Sequence, residues 1–342
     1  GFILTQRLGI RPKLWMDTLA QARMLKPHLP SHSLASMAKY FKLEDKGTEV
    51  TNALGVNRVM FTREGIRDYA EYCKHDTILC REIGKKMDPF TPILHTRLID
   101  MTVRMFTEPM FVGDTAKMQE LYDKEVRRKD DLLEQANTSH EAIMSNQMFA
   151  DLLSQYGVSP PMKMSKTTGK QTLALAKSDK AFTDLLGHDD PQVQALVAAR
   201  LGVKTTIAET RAAKFIDMSK RGPLPVYLNF WGAKTTGRYS GGNQVNWQNL
   251  PARGPNAGLR EALLAPDGYS VLVGDSSNIE LRTVMALAGQ DDVLDKLRNG
   301  VDLYCDFASK LFGRKITKAD KAERFLGKTA MLGLQYGAGG PR

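Results

Sequence analysis

The chain has 342 residues, of which 42% are hydrophobic and 25% charged, and it carries a formal net charge of +10 at pH 7. That length allows two to three domains, and the composition excludes disordered and collagen-like classes. The positive excess favours an anionic partner, with nucleic acid ahead of a membrane surface. No uninterrupted apolar run reaches the roughly 18 residues of a membrane span.

Cys73, Cys80 and Cys305 are the three cysteines, an odd, sparse set that fits a reducing, cytoplasmic setting better than a disulfide framework. Cys73 and Cys80 have no second ligand pair beside them, so zinc is not indicated. The chain opens on Gly1 with no signal-peptide pattern, and it is expected to be an excerpt of a longer protein.

Taken in chain order, residues 1–90 mix apolar helical stretches with short turns, and the apolar spacing predicts one helix over 63–87. Pro89 and Pro92 punctuate a boundary. From Ile93 to about Lys220 helices dominate, including a charged one around 118–135. The stretch Pro160 to Lys170, with its threonines, glycine and lysines, is expected to be a polar loop, either merely solvated or cradling phosphates. After Pro223 and Pro225 the texture changes, and 226–231 and 269–274 read as strands separated by glycine-rich turns. Helices return over roughly 279–288, 302–312 and 319–336, and no internal repeat is visible.

Four constellations carry chemistry. The apolar run Tyr269–Gly274 reads as a buried strand that delivers Asp275. A carboxylate held by a sheet suits a divalent metal such as Mg2+, which takes one or two carboxylates plus substrate phosphates; it equally suits the N-cap of a helix starting near Ser277. Arg324, Lys328, Leu332 and Tyr336 recur at i, i+4, i+8 and i+12, a helical stripe about 18 Å long. Two cations followed by apolar and aromatic surface suit a nucleoside triphosphate, although an amphipathic helix with solvated cations reads the same way. Gly327 and Gly333 each cost roughly 1 kcal/mol inside a helix, which close packing would explain. Thr236-Gly237-Arg238 and Gln248-Asn249 form a turn-rich segment whose donors suit minor-groove acceptors. Tyr72 and Asp76 sit one helical turn apart on the 63–87 helix, a common spacing in itself.

Together these segments resemble DNA polymerases of the polymerase I family, family A, most closely over residues 236–337. Asp275-Ser276-Ser277-Asn278-Ile279-Glu280-Leu281-Arg282 resembles motif A, Asp-Tyr-Ser-Gln-Ile-Glu-Leu-Arg, with Ser276 and Asn278 departing. The run Arg324 to Gly337 resembles motif B, Arg-x3-Lys-x7-Tyr-Gly, departing at Leu332 where Phe or Tyr is usual; leucine there points to phage-like or organellar relatives. The segment 236–251 resembles Thr-Gly-Arg-Leu-Ser…Asn-Leu-Gln-Asn-Ile-Pro.

The resemblance implies that Asp275 and the Ser276 carbonyl bind the catalytic metals, and that Glu280 closes the sugar pocket against a 2′-hydroxyl. Arg324 and Lys328 would hold the triphosphate, Lys328 also being the candidate proton donor to pyrophosphate, while Tyr336 guards the nascent base pair. Tyr304 stands where many relatives have a histidine near the triphosphate. Arg238, Gln248, Asn249, Arg253 and Lys204 would contact primer-template DNA. Tyr72-x3-Asp76 fits the Tyr-x3-Asp motif of 3′–5′ exonucleases.

The fold so implied is α+β, a right-hand polymerase with a helical thumb (91–225), an antiparallel-sheet palm (226–290) and truncated helical fingers (291–342), after the end of a ribonuclease H-like 3′–5′ exonuclease domain (1–90). The implied activity is template-directed addition of dNTPs to a primer by two-metal phosphoryl transfer using Mg2+, in a monomer without membrane attachment. The second catalytic aspartate, in a His-Asp-Glu motif, would follow Arg342, so this chain alone is expected to be inactive. A single-subunit RNA polymerase is disfavoured by Glu280, and a non-catalytic DNA-binding relative by the retention of Asp275, Arg324 and Lys328.

Overall fold

The computed structural model describes residues 1–48, 51, 53–165, 167–242, 245–252 and 257–338. They form two compact units, 1–270 and 271–342, and the boundary falls inside the 226–290 stretch. The class is α+β: helices with small antiparallel two-stranded sheets.

In the first unit, α1 (Thr18–Leu25) and α2 (Leu34–Tyr40) pack on α3, which spans Arg63–Met87 as its apolar period requires. The Thr62 hydroxyl accepts the Gly65 N–H at 3.0 Å, while Glu64 in the first turn and Lys85 and Lys86 in the last complement the helix dipole. Leu79, Ile83 and Met87 follow at i, i+4, i+8 and bury one stripe against Ala22, Met37 and Ala38.

Farther on, α4 (Ile93–Thr107) precedes the long, charged α5 (Thr115–Gln135), capped by Asp114 accepting from Lys117 N at 2.9 Å. Against α5 pack α6 (Pro191–Val203) and α7 (Ile207–Ser219). One core gathers Ile143, Phe149, Leu153, Val193 and Leu196, and another Met118, Phe215, Leu224 and Leu259.

Beside the first core lies Arg200, fully buried. Its guanidinium bonds the carbonyls of Ile143 and Ser145 and the Asn146 side chain, and stacks 5.0 Å from the Phe149 ring centroid. No carboxylate among the described residues pairs with it, and its Nε has no partner. Burial pushes this guanidinium down from its ordinary pKa.

Two expectations need correction here. The polar stretch at 160–170 is not a plain loop: Met162–Met164 and Gln171–Leu173 form a hairpin, β1 and β2, with Met162 opposite Leu173 and Met164 opposite Gln171. Met-Lys-Met already alternates with the period of a strand, but the Thr-Thr-Gly turn masked it. Lys166 lies outside the described residues.

The second correction concerns 269–274. These residues form no strand, and Leu272 and Val273 are 93% and 74% exposed. An apolar run becomes a strand only where a neighbour accepts its backbone hydrogen bonds, and no described segment pairs with it. The other expected strand is present, shifted by two residues: β3 (Leu228–Ala233) pairs antiparallel with β4 (Arg238–Gly241). An irregular register between Asn229 and Ala233 surrounds Trp231, whose φ is 52°.

The second unit holds α8 (Ile279–Leu287), α9 (Asp291–Arg298), α10 (Leu303–Phe312) and α11 (Lys321–Gln335), close to the three expected helical spans with α9 added. Leu281, Leu297 and Leu303, with Met285, Val293, Leu294 and Met331, form its core. The Asp302 carboxylate starts α10 by accepting from Tyr304 N at 3.1 Å and Cys305 N at 3.2 Å, and Gly313 ends it at φ 63°.

Candidate active site

Asp275 lies in the irregular segment before α8, exposed and without a hydrogen-bond or ion-pair partner among the described residues. It does not cap the helix. That position falls to Asn278, in the left-handed region at φ 55°, whose side chain caps nothing. A short amide tolerates this conformation better than most side chains, but it still costs roughly 1–2 kcal/mol. Asn278 instead uses its amide oxygen to accept the Tyr304 hydroxyl at 2.8 Å.

One unpaired carboxylate followed by exposed Ser276 fits a hard cation that completes its shell with phosphate oxygens and water. Among the described residues no three His, Cys, Asp or Glu side chains gather at one place.

The expected stripe lies on α11 and its end. Arg324 is tied to Asp302, with Nε at 2.9 Å and Nη2 at 2.8 Å from the same carboxylate oxygen, and sits 5.5 Å from the Tyr304 ring centroid. Lys328 is exposed and has no partner among the described residues; Leu332 is half-buried. Tyr336, at the C-cap, donates its hydroxyl to Glu280 Oε2 at 2.5 Å. Two side-chain ties thus join the segments around Asp275 and Arg324 within one unit: Tyr304 to Asn278 near one end of α11, and Tyr336 to Glu280 near the other.

Sequence reasoning missed Asp302. Its signal, an aspartate just before an apolar helical run, is that of an N-cap, and gave no hint of the ion pair. Burial pushes the Asp302 carboxyl up, but Arg324 and the backbone N–H groups of Cys305 and Tyr304 outweigh it and hold the group below its ordinary value. Burial raises the neighbouring Cys305 thiol.

Gly327 is where α11 meets α10. A Cβ there would run into the Tyr304 carbonyl oxygen and lie 3.0 Å from Ala308 Cβ, which accounts for glycine in a helix interior. Gly333 is looser, with only Ala338 Cβ at 3.3 Å. Gly327→Ala is therefore expected to lower stability by about 1–3 kcal/mol despite its better helix propensity, as read by urea unfolding; an unchanged or higher midpoint would contradict the packing.

In the first unit, Arg238 opens β4, exposed but not without a partner. Gln248 and Asn249 are exposed on the helical turn Trp247–Asn249. Trp247 anchors that turn edge-on to Phe215, with ring centroids 5.0 Å apart, and Asn249 O accepts Arg211 Nη1 at 3.1 Å. Arg211 had no sequence signal.

Lys204 belongs to a different cluster. It follows α6, donates to Asn146 Oδ1 at 3.0 Å, and is pushed down in pKa by burial and by Arg200. Arg253 lies outside the described residues.

Tyr72 and Asp76 do share one face of α3, and Lys46 bridges them, bonding the Tyr72 hydroxyl and lying 3.2 Å from Asp76 Oδ2. The other Asp76 oxygen is buried without a partner.

The model of DNA polymerase family A matches residues 114–341, and the chain belongs to that family. DNA polymerase I of Chloroflexus aurantiacus is 25% identical over 342 residues, 95% of this chain and 35% of that protein. The thermostable DNA polymerase I of Thermus aquaticus is 33% identical over 179 residues, 52% of this chain and 21% of that protein. The chain thus spans only part of each relative's length. Among solved structures, the POL domain of Pol1 from M. smegmatis, in complex with DNA primer-template and dNTP, matches with a TM-score of 0.64 at 19% identity, over 94% of this chain and 54% of that one. That likeness shows the α+β fold of a polymerase domain.

Proposed function

We propose that this chain is the nucleotide-handling part of a template-directed DNA polymerase that extends a primer 3′ end with dNTPs. The observation that carries the reading is the joining of the Asp275 and Arg324 segments by Tyr304–Asn278 and Tyr336–Glu280. A free carboxylate, a fixed guanidinium and a free ammonium on one small helical unit suit a metal-bound triphosphate.

In this reading Asp275 and the Ser276 carbonyl hold divalent ions, Mg2+ by preference. Such ions, when bound, neutralise charge on the attacking and leaving oxygens. Arg324 orients the triphosphate, and Lys328 supplies charge and a proton to the departing pyrophosphate. Glu280, held by Tyr336, narrows the sugar site, with Leu332 beside it. Arg238, Gln248 and Asn249 meet the primer-template duplex, with Arg253 adjoining, and Lys204 touches the backbone.

By the same reading 1–90 is the end of an exonuclease domain, 91–225 the thumb, 226–290 the palm and 291–342 the fingers of a monomeric, cytoplasmic enzyme. The linked exonuclease draws specific support from the shared face of Tyr72 and Asp76. No helix among the described residues is long and apolar enough to cross a membrane.

Isothermal titration of Mg·dATP into the purified chain tests the core of the proposal. Saturable binding is expected, with Lys328→Ala weakening it about tenfold, the loss of one charge-assisted contact. No heat of binding up to millimolar nucleotide would refute it.

A further inference from the structure

Asn278 and Tyr304 are two places where the chain departs from the family pattern, and the structure puts them in one hydrogen bond. Asn278 has one methylene fewer than the usual glutamine, while Tyr304 reaches farther than the usual histidine. The donor hydroxyl and the acceptor amide meet at 2.8 Å, a good O–H···O distance. We infer that Tyr304 is a positioning residue matched to Asn278: its hydroxyl fixes the left-handed turn that presents Asp275, and its ring supports Arg324, so that carboxylate and guanidinium are set by one side chain. The inference rests on the polymerase reading above and assigns Tyr304 to the turn rather than to the triphosphate.

Three observations carry it. Asn278 sits at φ 55° with no capping bond of its own; Arg282 Nε holds the preceding Ser277 carbonyl at 3.0 Å, and the Tyr304 hydroxyl holds the Asn278 side chain itself. Tyr304 is fixed at both ends of its residue: its N–H is bound by Asp302, and its carbonyl packs against Gly327. Asp302 in turn grips Arg324, whose guanidinium lies 5.5 Å from the Tyr304 ring centroid. Asp302, Tyr304, Arg324 and Asn278 are therefore one continuous network; among the described residues the Tyr304 hydroxyl ties it to the Asp275 turn, while Tyr336–Glu280 ties the far end of α11 to the start of α8.

A mutant cycle in the full 342-residue chain tests the match. Tyr304→Phe keeps the ring under Arg324 and removes only the bond. It is expected to weaken Mg·dATP binding about fivefold and to raise the half-saturating Mg2+ concentration. Affinity for metal-free tripolyphosphate, which needs only the cations, should stay within twofold. Asn278→Gln and Tyr304→His are each expected to lose affinity alone, and the double variant to recover to within twofold of the original chain. Losses that simply add in the double variant, or a Tyr304→Phe chain with unchanged Mg2+ dependence, would overturn the pairing. If the unsubstituted chain binds no Mg·dATP, it is the polymerase reading that fails. The pairing is then judged by the same cycle in thermal unfolding, where additive losses overturn it and recovery in the double variant sustains it.

Discussion

Alanine in place of Arg324 is expected to weaken Mg·dATP binding by about 10- to 100-fold, the effect of removing roughly 1.5–3 kcal/mol of charge-assisted hydrogen bonding. Two guanidinium nitrogens are committed to Asp302, and the remaining N–H groups are held in a fixed direction. The guanidinium is therefore ordered before a phosphate arrives, and less entropy is lost on binding. Lysine at this position keeps the charge but not the fork, and should fall between the two. A dissociation constant within twofold of the original in Arg324→Ala would remove this residue from the site.

The same substitution has a signature in pH. Asp302 is held below its ordinary pKa in the folded chain, so its contribution to stability is present above the unfolded value, near 3.9, and disappears as pH falls through the lower folded value. Without Arg324, burial is opposed only by the backbone N–H groups, and the contribution shrinks or reverses. The stability gap between original and variant chains should be widest above about pH 4 and should close in more acidic solution.

The second large effect concerns stability alone. Arg200→Ala should destabilise the first unit by about 3–5 kcal/mol, lowering its melting temperature by on the order of 10 °C. The substitution removes the guanidinium from the carbonyls of Ile143 and Ser145 and from the Asn146 amide, which keep the Phe149 N–H on Ser145 and Lys204 on Asn146, and it empties the space over the Phe149 ring. Arg200→Met fills much of that space, and it also removes a buried charge that no carboxylate among the described residues compensates; it should cost clearly less than alanine. Equal losses for the two would mean that hydrogen bonding, and not packing, dominates. A loss below about 1 kcal/mol for alanine would contradict the burial itself.

What the amino-acid sequence disclosed, and what it withheld, follows from the range of the forces involved. The helix at 63–87 was legible because period, Thr62 cap and terminal charges are all local, and they agree. The helices near 302–312 and 319–336 were legible for the same reason. The family motifs were legible as strings of residue types. Their ties were not, because Tyr304–Asn278, Arg324–Asp302 and Tyr336–Glu280 join residues 22 to 56 positions apart. Arg200 looked like any surface cation on a helix, and nothing nearby in sequence announces a buried guanidinium. The run at 269–274 was misread as a strand since its apolar residues say that it could pair, not with what.

That last run has a practical consequence. Tyr269-Ser270-Val271-Leu272-Val273 is uncharged, free of proline and rich in β-branched residues, and its apolar side chains stand in water. Such a stretch is a template for cross-β stacking between molecules. A concentrated solution of this chain is therefore expected to precipitate through this run, and dilution to keep its molecules apart.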